Sequence, residues 1–291
     1  MKPIAVLTAT YNHPGQLQEL YRSLTEQNDP GFTWVITDDG SGEETQKAIE
    51  SFQSDGKLDI LACRQENGGK SRAINRGLAL LRGKTEFFVI VDDDERLLPD
   101  AVATVRRYVS EYRGTECGSI HFNRKDEKGA VIASPCFDHD FFLSYQEHKA
   151  RGYHADGYLG YFTDKLGDDE FHVHSGEKYV APSTLFMRVT RHAKLLWACA
   201  VLGETEYLEG GITKQGRRLR IRNPLGMIEY CELMQENGAS LKNRIVYSVH
   251  GFAYAYLAKK RAGEAPPKPK LMGWTKPLGS LLGRRWEKQY R

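Results

Sequence analysis

Over the first hundred residues, short continuous apolar runs alternate with stretches whose apolar positions recur at helical spacing. Ile4 to Thr10, Phe32 to Thr37, Leu58 to Cys63 and Phe87 to Val91 read as strands, the last being the kind of unbroken run that buried strands show. Between them, Gly15 to Gln27 carries Leu17, Leu20, Tyr21 and Leu24 on one helical face, and Glu43 to Phe52 and Ser71 to Leu81 read as two further helices. This βαβα order predicts an α/β fold, a Rossmann-like, mostly parallel sheet flanked by helices. In such a sheet the ligand crevice lies beyond the carboxyl ends of the strands.

From Val102 the pattern loosens. Strands are expected at Gly118 to Asn123 and Ala130 to Ala133, a helix near Ser183 to Leu202, and another over Asn243 to Arg261; Phe137 to Phe171 is polar, aromatic and without clear period. Pro266, Pro267 and Pro269 mark a stop or linker before a C-terminal helical extension.

At 291 residues the chain suits one large α/β domain with an appendage, or two small domains. With 40% hydrophobic and 27% charged residues it is expected to fold rather than remain disordered. Five cysteines without a CxxC or Cys/His zinc spacing point to a reduced, cytoplasmic setting. The apolar run at the start is too short for a signal peptide, and no later run reaches a membrane-spanning length. Net charge is +3, yet ten Lys or Arg against two Glu between Lys259 and Arg291 give that end +8 and leave the rest at −5. Such a tail fits an anionic membrane face better than nucleic acid, or else it is a solvated basic cap.

Polar clusters stand at the predicted strand ends. Asp92-Asp93-Asp94-Glu95 crowds carboxylates that repel one another unless a cation intervenes, and hard oxygen ligands imply Mg²⁺ or Mn²⁺. If the strand continues, Asp92 and Asp94 point one way and Asp93 the other. An acidic helix cap before Pro99 is the other reading. Thr8-Ala9-Thr10-Tyr11-Asn12 follows the first strand and Asp38-Asp39-Gly40-Ser41 the second. Tyr11 can stack on a base, and Asp38 or Asp39 can accept from a uracil N3–H or a ribose hydroxyl, although turn chemistry also explains the second cluster. Asn67-Gly68-Gly69 opens a helix start where Lys70 or Arg72 can neutralise phosphate.

In order and spacing these clusters resemble glycosyltransferase family 2: TxTYN, DDGS, NxGxxxAxN over Asn67 to Asn75, and an acid cluster followed by Pro99. The resemblance implies a GT-A fold, a nucleoside-diphosphate sugar donor and a divalent metal. It places Asp39 on the base, Asp92 on ribose or metal and Asp94 on the metal; from their own places in the strand-end clusters, Thr8, Thr10, Tyr11, Asn12, Asp38, Asp93, Lys70 and Arg72 are expected as further donor contacts. The chain is expected to divide into a nucleotide-sugar half (1–100), an acceptor half (101–242) and a basic helical extension (243–291). Glu95 stands where the family often has Asp.

Farther on, His174-Ser175-Gly176-Glu177-Lys178-Tyr179 resembles the family's ED-type base motif, with Lys178 replacing the second acid. The expected reaction is inverting, with Glu177 as base and Glu204, Glu206 and Glu209 as alternatives, and a glycan or lipid-linked glycan as acceptor. His172 and His174 could share a strand face, but without a third ligand they read as part of a polar acceptor loop. Arg284-Arg285-Trp286 is similar to part of a motif of processive synthases and reads as an interfacial anchor. The rivals are a nucleotidyltransferase of related fold, which would want a cation in the loop after the first strand, and an inactive module that binds an anionic polymer or lipid.

Overall fold

A computed structural model of the chain describes residues 1–205, 212–236, 239–262 and 269–290. Its elements begin with β1 (Ile4–Thr10), α1 (Pro14–Thr25), β2 (Phe32–Asp38), α2 (Glu43–Asp55), β3 (Asp59–Arg64), α3 (Lys70–Leu81) and β4 (Phe87–Ile90). They continue with β5 (Glu95–Leu97), α4 (Ala101–Tyr112), β6 (Cys117–Lys125), β7 (Ala133–Ser134), β8 (Phe141–Phe142) and α5 (Tyr145–Ala150). Next come β9 (His154–Ala155), β10 (Gly157–Phe162), α6 (Thr163–Leu166), α7 (Ser183–Val189) and β11 (Lys194–Thr205). The described chain closes with α8 (Ile212–Arg222), α9 (Pro224–Leu233), α10 (Leu241–Ala262) and α11 (Lys276–Gln289).

Two compact units result. The first comprises Met1–Leu143, Tyr153–Glu170 and His192–Glu206, the second Ser144–Gly152, Phe171–Arg191 and Tyr207–Arg291. Residues between 101 and 242 therefore contribute to both units.

The first unit is built on a sheet ordered β3-β2-β1-β4-β10-β6-β11-β5, with β8 also paired to β11. Strands β3, β2, β1 and β4 run parallel, as the βαβα pattern predicts, and β10 enters antiparallel to both β4 and β6. On one face Tyr21 of α1, Trp34 of β2 and Phe52 of α2 stack, with ring centroids of Tyr21 and Phe52 4.2 Å apart. Each such pair adds about 0.5–1.5 kcal/mol to simple burial. On the other face α3 approaches so closely that a Cβ at Gly77 would lie 2.3 Å from a methyl of Leu7.

Several expectations are corrected. The helix expected over Ser183 to Leu202 stops at Val189, and Lys194 onward is strand β11, paired to β6 and β5. Its apolar run is the kind whose period does not separate strand from buried helix, and pairing with two strands decides. The strand expected at Ala130 to Ala133 shrinks to β7 and a single bridge between Lys125 and Val131. Within the unparsed stretch lies β10, a central strand disguised by its glycines. A Cβ at Gly157 would sit 1.9 Å from the carbonyl oxygen of Phe122, and one at Gly160 2.4 Å from the Phe87 ring. Pro266 and Pro267 lie outside the described residues.

In the second unit α11 packs along α10 through Gly279 and Gly283, where a Cβ would meet Phe252 and the backbone of Val249 and Ala253 within 2.8 Å. Trp286 is buried against His250 and Tyr254. Among the described residues no helix is long and apolar enough to cross a membrane.

Because a backbone oxygen cannot rotate away, Gly157→Ala is expected to destabilise the first unit by about 1–3 kcal/mol, the usual cost of overpacking. Gly15→Ala, on α1 with nothing within 4 Å of its added carbon, serves as the neutral or stabilising control. Chemical denaturation of the two variants checks this.

Candidate functional site

Parallel pairing brings the carboxyl ends of β1, β2 and β4 side by side, with Thr10 opposite Asp38 and Leu7 opposite Ile90. The loops that follow are bolted together. Asn12 takes a positive φ of 56°, which its short polar side chain tolerates, and in that pose its N–H donates to Ser41 Oγ (2.9 Å). Its Oδ1 in turn accepts from the Gly42 N–H (2.7 Å). Tyr11, beside it, leaves its side chain 46% exposed at this edge.

Both carboxylates of the second loop are buried and engaged. Asp38 accepts from the Ser41 N–H (2.8 Å) and from Arg64 (2.9 Å), whose other nitrogen donates to the Ser41 carbonyl. Asp39 is the hub. One oxygen accepts from Gln65 Nε2 (2.7 Å) and the Gly68 N–H (2.8 Å), the other from the Gly69 N–H (2.8 Å) and Asn67 Nδ2 (3.2 Å). A carboxylate has about four acceptor positions, so a nucleobase donor reaching Asp39 must displace one of the two side-chain amides. The glycines are required here: Gly69 has φ 93°, and a Cβ at Gly40 (φ 83°) would lie 2.8 Å from the Asn67 nitrogen. Arg72 donates to the Gly68 carbonyl (2.9 Å) and so helps hold this turn.

The acidic cluster differs from the extended strand that alternation requires. Strand β4 ends at Ile90, and residues 92–95 close a turn in which the Glu95 N–H donates to the Asp92 carbonyl (3.2 Å) and the Asp92 N–H to Glu95 Oε2 (3.0 Å). Each acid then has its own surroundings. Asp92 pairs with Lys70 Nζ at 2.5 Å, and Asp93 accepts from Thr10 Oγ1 (2.7 Å) and lies 3.1 Å from His13 Nδ1. Glu95 is buried against Arg124, which also pairs with Asp156. Asp94 has no side-chain partner among the described residues.

The electrostatics follow from this packing. Burial, then the charges of Asp92 and Asp93, raise the Asp94 carboxyl above the usual carboxylate range. Burial and Asp92 push Glu95 up to about 8, against the pull of Arg124. Burial works to lower the Lys70 ammonium, but Asp92 outweighs it and the group is held charged. The His13 imidazole is raised by its bond to Asp93.

Most of the donor-contact residues named from the sequence thus gather at one edge. Thr8 does not: it is fully buried, its hydroxyl accepting from the Trp34 indole N–H (3.0 Å), because its place in β1 turns it toward the aromatic stack. His13, Arg64, Gln65 and Arg124 were not anticipated. His13 adjoins the Tyr11-Asn12 motif and so had a local signal; Arg124 and Asp156 are brought together only by β6 and β10.

In the second unit Glu177 is buried, and its two oxygens accept from the Leu225 (2.7 Å) and Gly226 (2.9 Å) N–H groups at the start of α9. Asn223 Oδ1 accepts from the Lys178 and Tyr179 N–H groups beside it. A carboxylate on a helix N-terminus answers unpaired N–H groups and the helix dipole. Glu204 is exposed on β11 opposite Arg96, whereas Glu206 and Glu209 lie outside the described residues. His172 pairs with Arg188 and lies 3.7 Å from Glu229. Among the described residues no group of three or more His, Cys, Asp or Glu is arranged to hold a metal by itself.

Comparison with known proteins bears on the family and the fold. The profile of the family described as glycosyl transferase family 2 matches residues 5–162. The poly(ribitol-phosphate) β-N-acetylglucosaminyltransferase TarS of Staphylococcus aureus is 26% identical over 114 residues, covering 38% of this chain and 20% of that protein. A GalNAc(5)-diNAcBac-PP-undecaprenol β-1,3-glucosyltransferase of Campylobacter jejuni is 25% identical over 112 residues, 38% of this chain and 36% of its own length. The matched stretch is therefore well under half of either relative. In structure, residues 1–349 of TarS in complex with UDP-GlcNAc align at TM-score 0.65 and 16% identity, over 100% of this chain and 93% of that one. The mannosyltransferase PcManGT of Pyrobaculum calidifontis, in complex with GDP-Man and Mn²⁺, aligns at 0.57 and 15% identity over 99% and 75%.

Asp39→Asn tests the loop hub. An amide at this position turns an N–H₂ toward at least one donor it must accept from, at a cost of about 1–3 kcal/mol. Amide exchange at Gly68 and Gly69 is expected to accelerate; protection equal to wild type would mean the turn is held by other contacts.

Proposed function

The chain belongs to glycosyl transferase family 2 and is a glycosyltransferase with the GT-A fold, and on that premise we propose that it moves a sugar, with inversion, from a UDP-sugar to a glycan or lipid-linked glycan in surface polysaccharide synthesis. The observation that carries this proposal is the gathering of exposed Tyr11, the Lys70 ammonium and the acidic turn at the carboxyl edge of one parallel sheet. The TarS complex with UDP-GlcNAc supports UDP as the nucleotide, and the undecaprenol in the Campylobacter relative's name supports a lipid-linked acceptor.

In the displacement, the acceptor hydroxyl oxygen bonds to the anomeric carbon while the bond from that carbon to the diphosphate oxygen breaks. The diphosphate keeps the bonding electrons and the hydroxyl proton passes to a carboxylate base. Tyr11 offers a ring face to the nucleobase, and Lys70 offers positive charge to the departing group. The residues fit a hard divalent cation, Mn²⁺ or Mg²⁺: the donors are all carboxylate oxygens, and a cation would compensate the burial and the neighbouring charges that raise Asp94. Asp94 would hold it, with Asp92 once Lys70 turns to phosphate. When bound, such an ion neutralises charge on the leaving diphosphate.

For the base, Glu177 stays a candidate with a second role. Its two oxygens accept from the N–H groups of Leu225 and Gly226, and its visible work is to tie the segment Glu177–Tyr179 to α9. Glu204, Glu206 and Glu209 remain the alternatives.

Asp94→Asn is expected to leave the unfolding midpoint of the free protein unchanged or slightly raised, since it removes a charge that burial and the neighbouring acids disfavour, while abolishing both transfer and the metal-dependent stabilisation by UDP-sugars. That stabilisation should reach about 2.7 kcal/mol at a hundred times Kd in the wild type. A panel of UDP-, GDP- and dTDP-sugars, with Mn²⁺ or with chelator, reads the result, and full activity of the variant would sink the assignment. Glu177→Gln separates its two roles. A purely catalytic base loses turnover by about a hundred- to ten-thousand-fold at constant midpoint. A positioning carboxylate instead lowers the midpoint and speeds amide exchange at Leu225 and Gly226.

A further inference from the structure

The basic C-terminal segment, to which the proposed transfer assigns no role, is sorted by the structure into two faces. Leu271 packs where Gly251 leaves room, with its Cδ1 2.6 Å from the position a Cβ would take, and the Trp286 ring is buried beneath the Arg217 guanidinium. Gly279 and Gly283 let α11 press on α10, and Glu287, the only carboxylate of α11, turns inward to accept from the Tyr256 hydroxyl at 3.0 Å. Of the apolar residues in this segment, Leu271 and Trp286 are therefore accounted for by the fold.

Others are not. Leu278 (55% exposed) and Leu281 (65%) recur at i and i+3 on the outer face of α11, and Arg285 continues that stripe at i+7. Trp274, in the turn just before the helix, is 62% exposed. Around them stand Lys270, Lys276, Arg284, Arg285 and Lys288, all exposed and none in an ion pair among the described residues. An exposed Trp and two Leu rimmed by cations, with the helix's one acid turned away, match a surface that is negative outside and apolar beneath.

We propose that the outer face of α11, with the turn that carries Trp274, docks the protein on an anionic lipid bilayer. Trp274, Leu278 and Leu281 enter the boundary between headgroups and acyl chains, while the surrounding Lys and Arg meet lipid phosphates. Charge selects this partner: a second copy of the chain would bring the same uncompensated cations against these.

Vesicle flotation of the full chain tests the proposal, with phosphatidylglycerol in phosphatidylcholine as one arm and phosphatidylcholine alone as the other. Binding is expected only in the first arm and is expected to weaken about tenfold or more as salt is raised to about 0.5 M. The triple variant Trp274→Ser, Leu278→Ser, Leu281→Ser and the double variant Arg284→Glu, Arg285→Glu should each lose about tenfold or more in binding, with unfolding midpoints near wild type. Flotation needs no donor or acceptor, so its outcome is independent of the proposed transfer activity. No binding to anionic vesicles at low salt, or binding by the triple variant equal to wild type, would overturn the proposal. So would a dimer that the triple variant dissociates in the absence of vesicle binding, since that would make this face a contact between copies.

Discussion

Four consecutive carboxylates at the end of a buried strand repel one another, and much of the polar architecture of the first unit answers that repulsion. Lys70, at the start of α3, meets Asp92; Thr10, the last residue of β1, and His13, just beyond it, meet Asp93; and Arg124, from β6, meets Glu95. Each compensating group comes from a different element. The full set of partners is therefore assembled by the parallel half of the sheet together with β6, which β10 joins to it. Asp94 makes no such hydrogen bond or ion pair among the described residues, and burial, then the charges of Asp92 and Asp93, raise its carboxyl.

A second constraint acts on the same edge from the neighbouring loop. Asp39 gathers four donors, two of them backbone N–H groups that no other residue type could satisfy so compactly. Anchored this way, the glycine turn and the N-terminus of α3 are set before any ligand arrives, which keeps the ordering cost of binding low. Glu177 plays the corresponding part in the second unit, where it steadies the start of α9. In both places an acid that sequence patterns assign to ligand or chemistry also holds backbone, so a change in activity on mutation has two sources that stability measurements can separate.

How much of this was legible beforehand depended on whether the signal was local. The strands and helices of the first hundred residues, the turn glycines at Gly40 and Gly69, and the clustering of polar motifs at strand ends follow from apolar periodicity and turn chemistry that act within a few residues. Strand β10 was hidden because its glycines, read locally, mean a turn, whereas their real cause is the close backbone approach of Phe122 and the ring of Phe87. Strand β11 reads as helix in the sequence because a long buried apolar run has no decisive period until its partners are known.

The sequence by itself determined the fold class, the family and the side chains gathered around the carboxyl ends of β1, β2 and β4, because each rests on patterns carried by contiguous residues. Only the tertiary structure decided which of those side chains face outward. It turned Thr8 into the core beneath Trp34, closed Asp92 to Glu95 into a turn, and brought Arg124 from β6 to Glu95. It also divided the apolar residues of the last helix between a buried face and an exposed one. The physical reason is the same in each case: orientation and charge pairing depend on neighbours supplied by elements far away in the chain, and no local pattern records which neighbours those are.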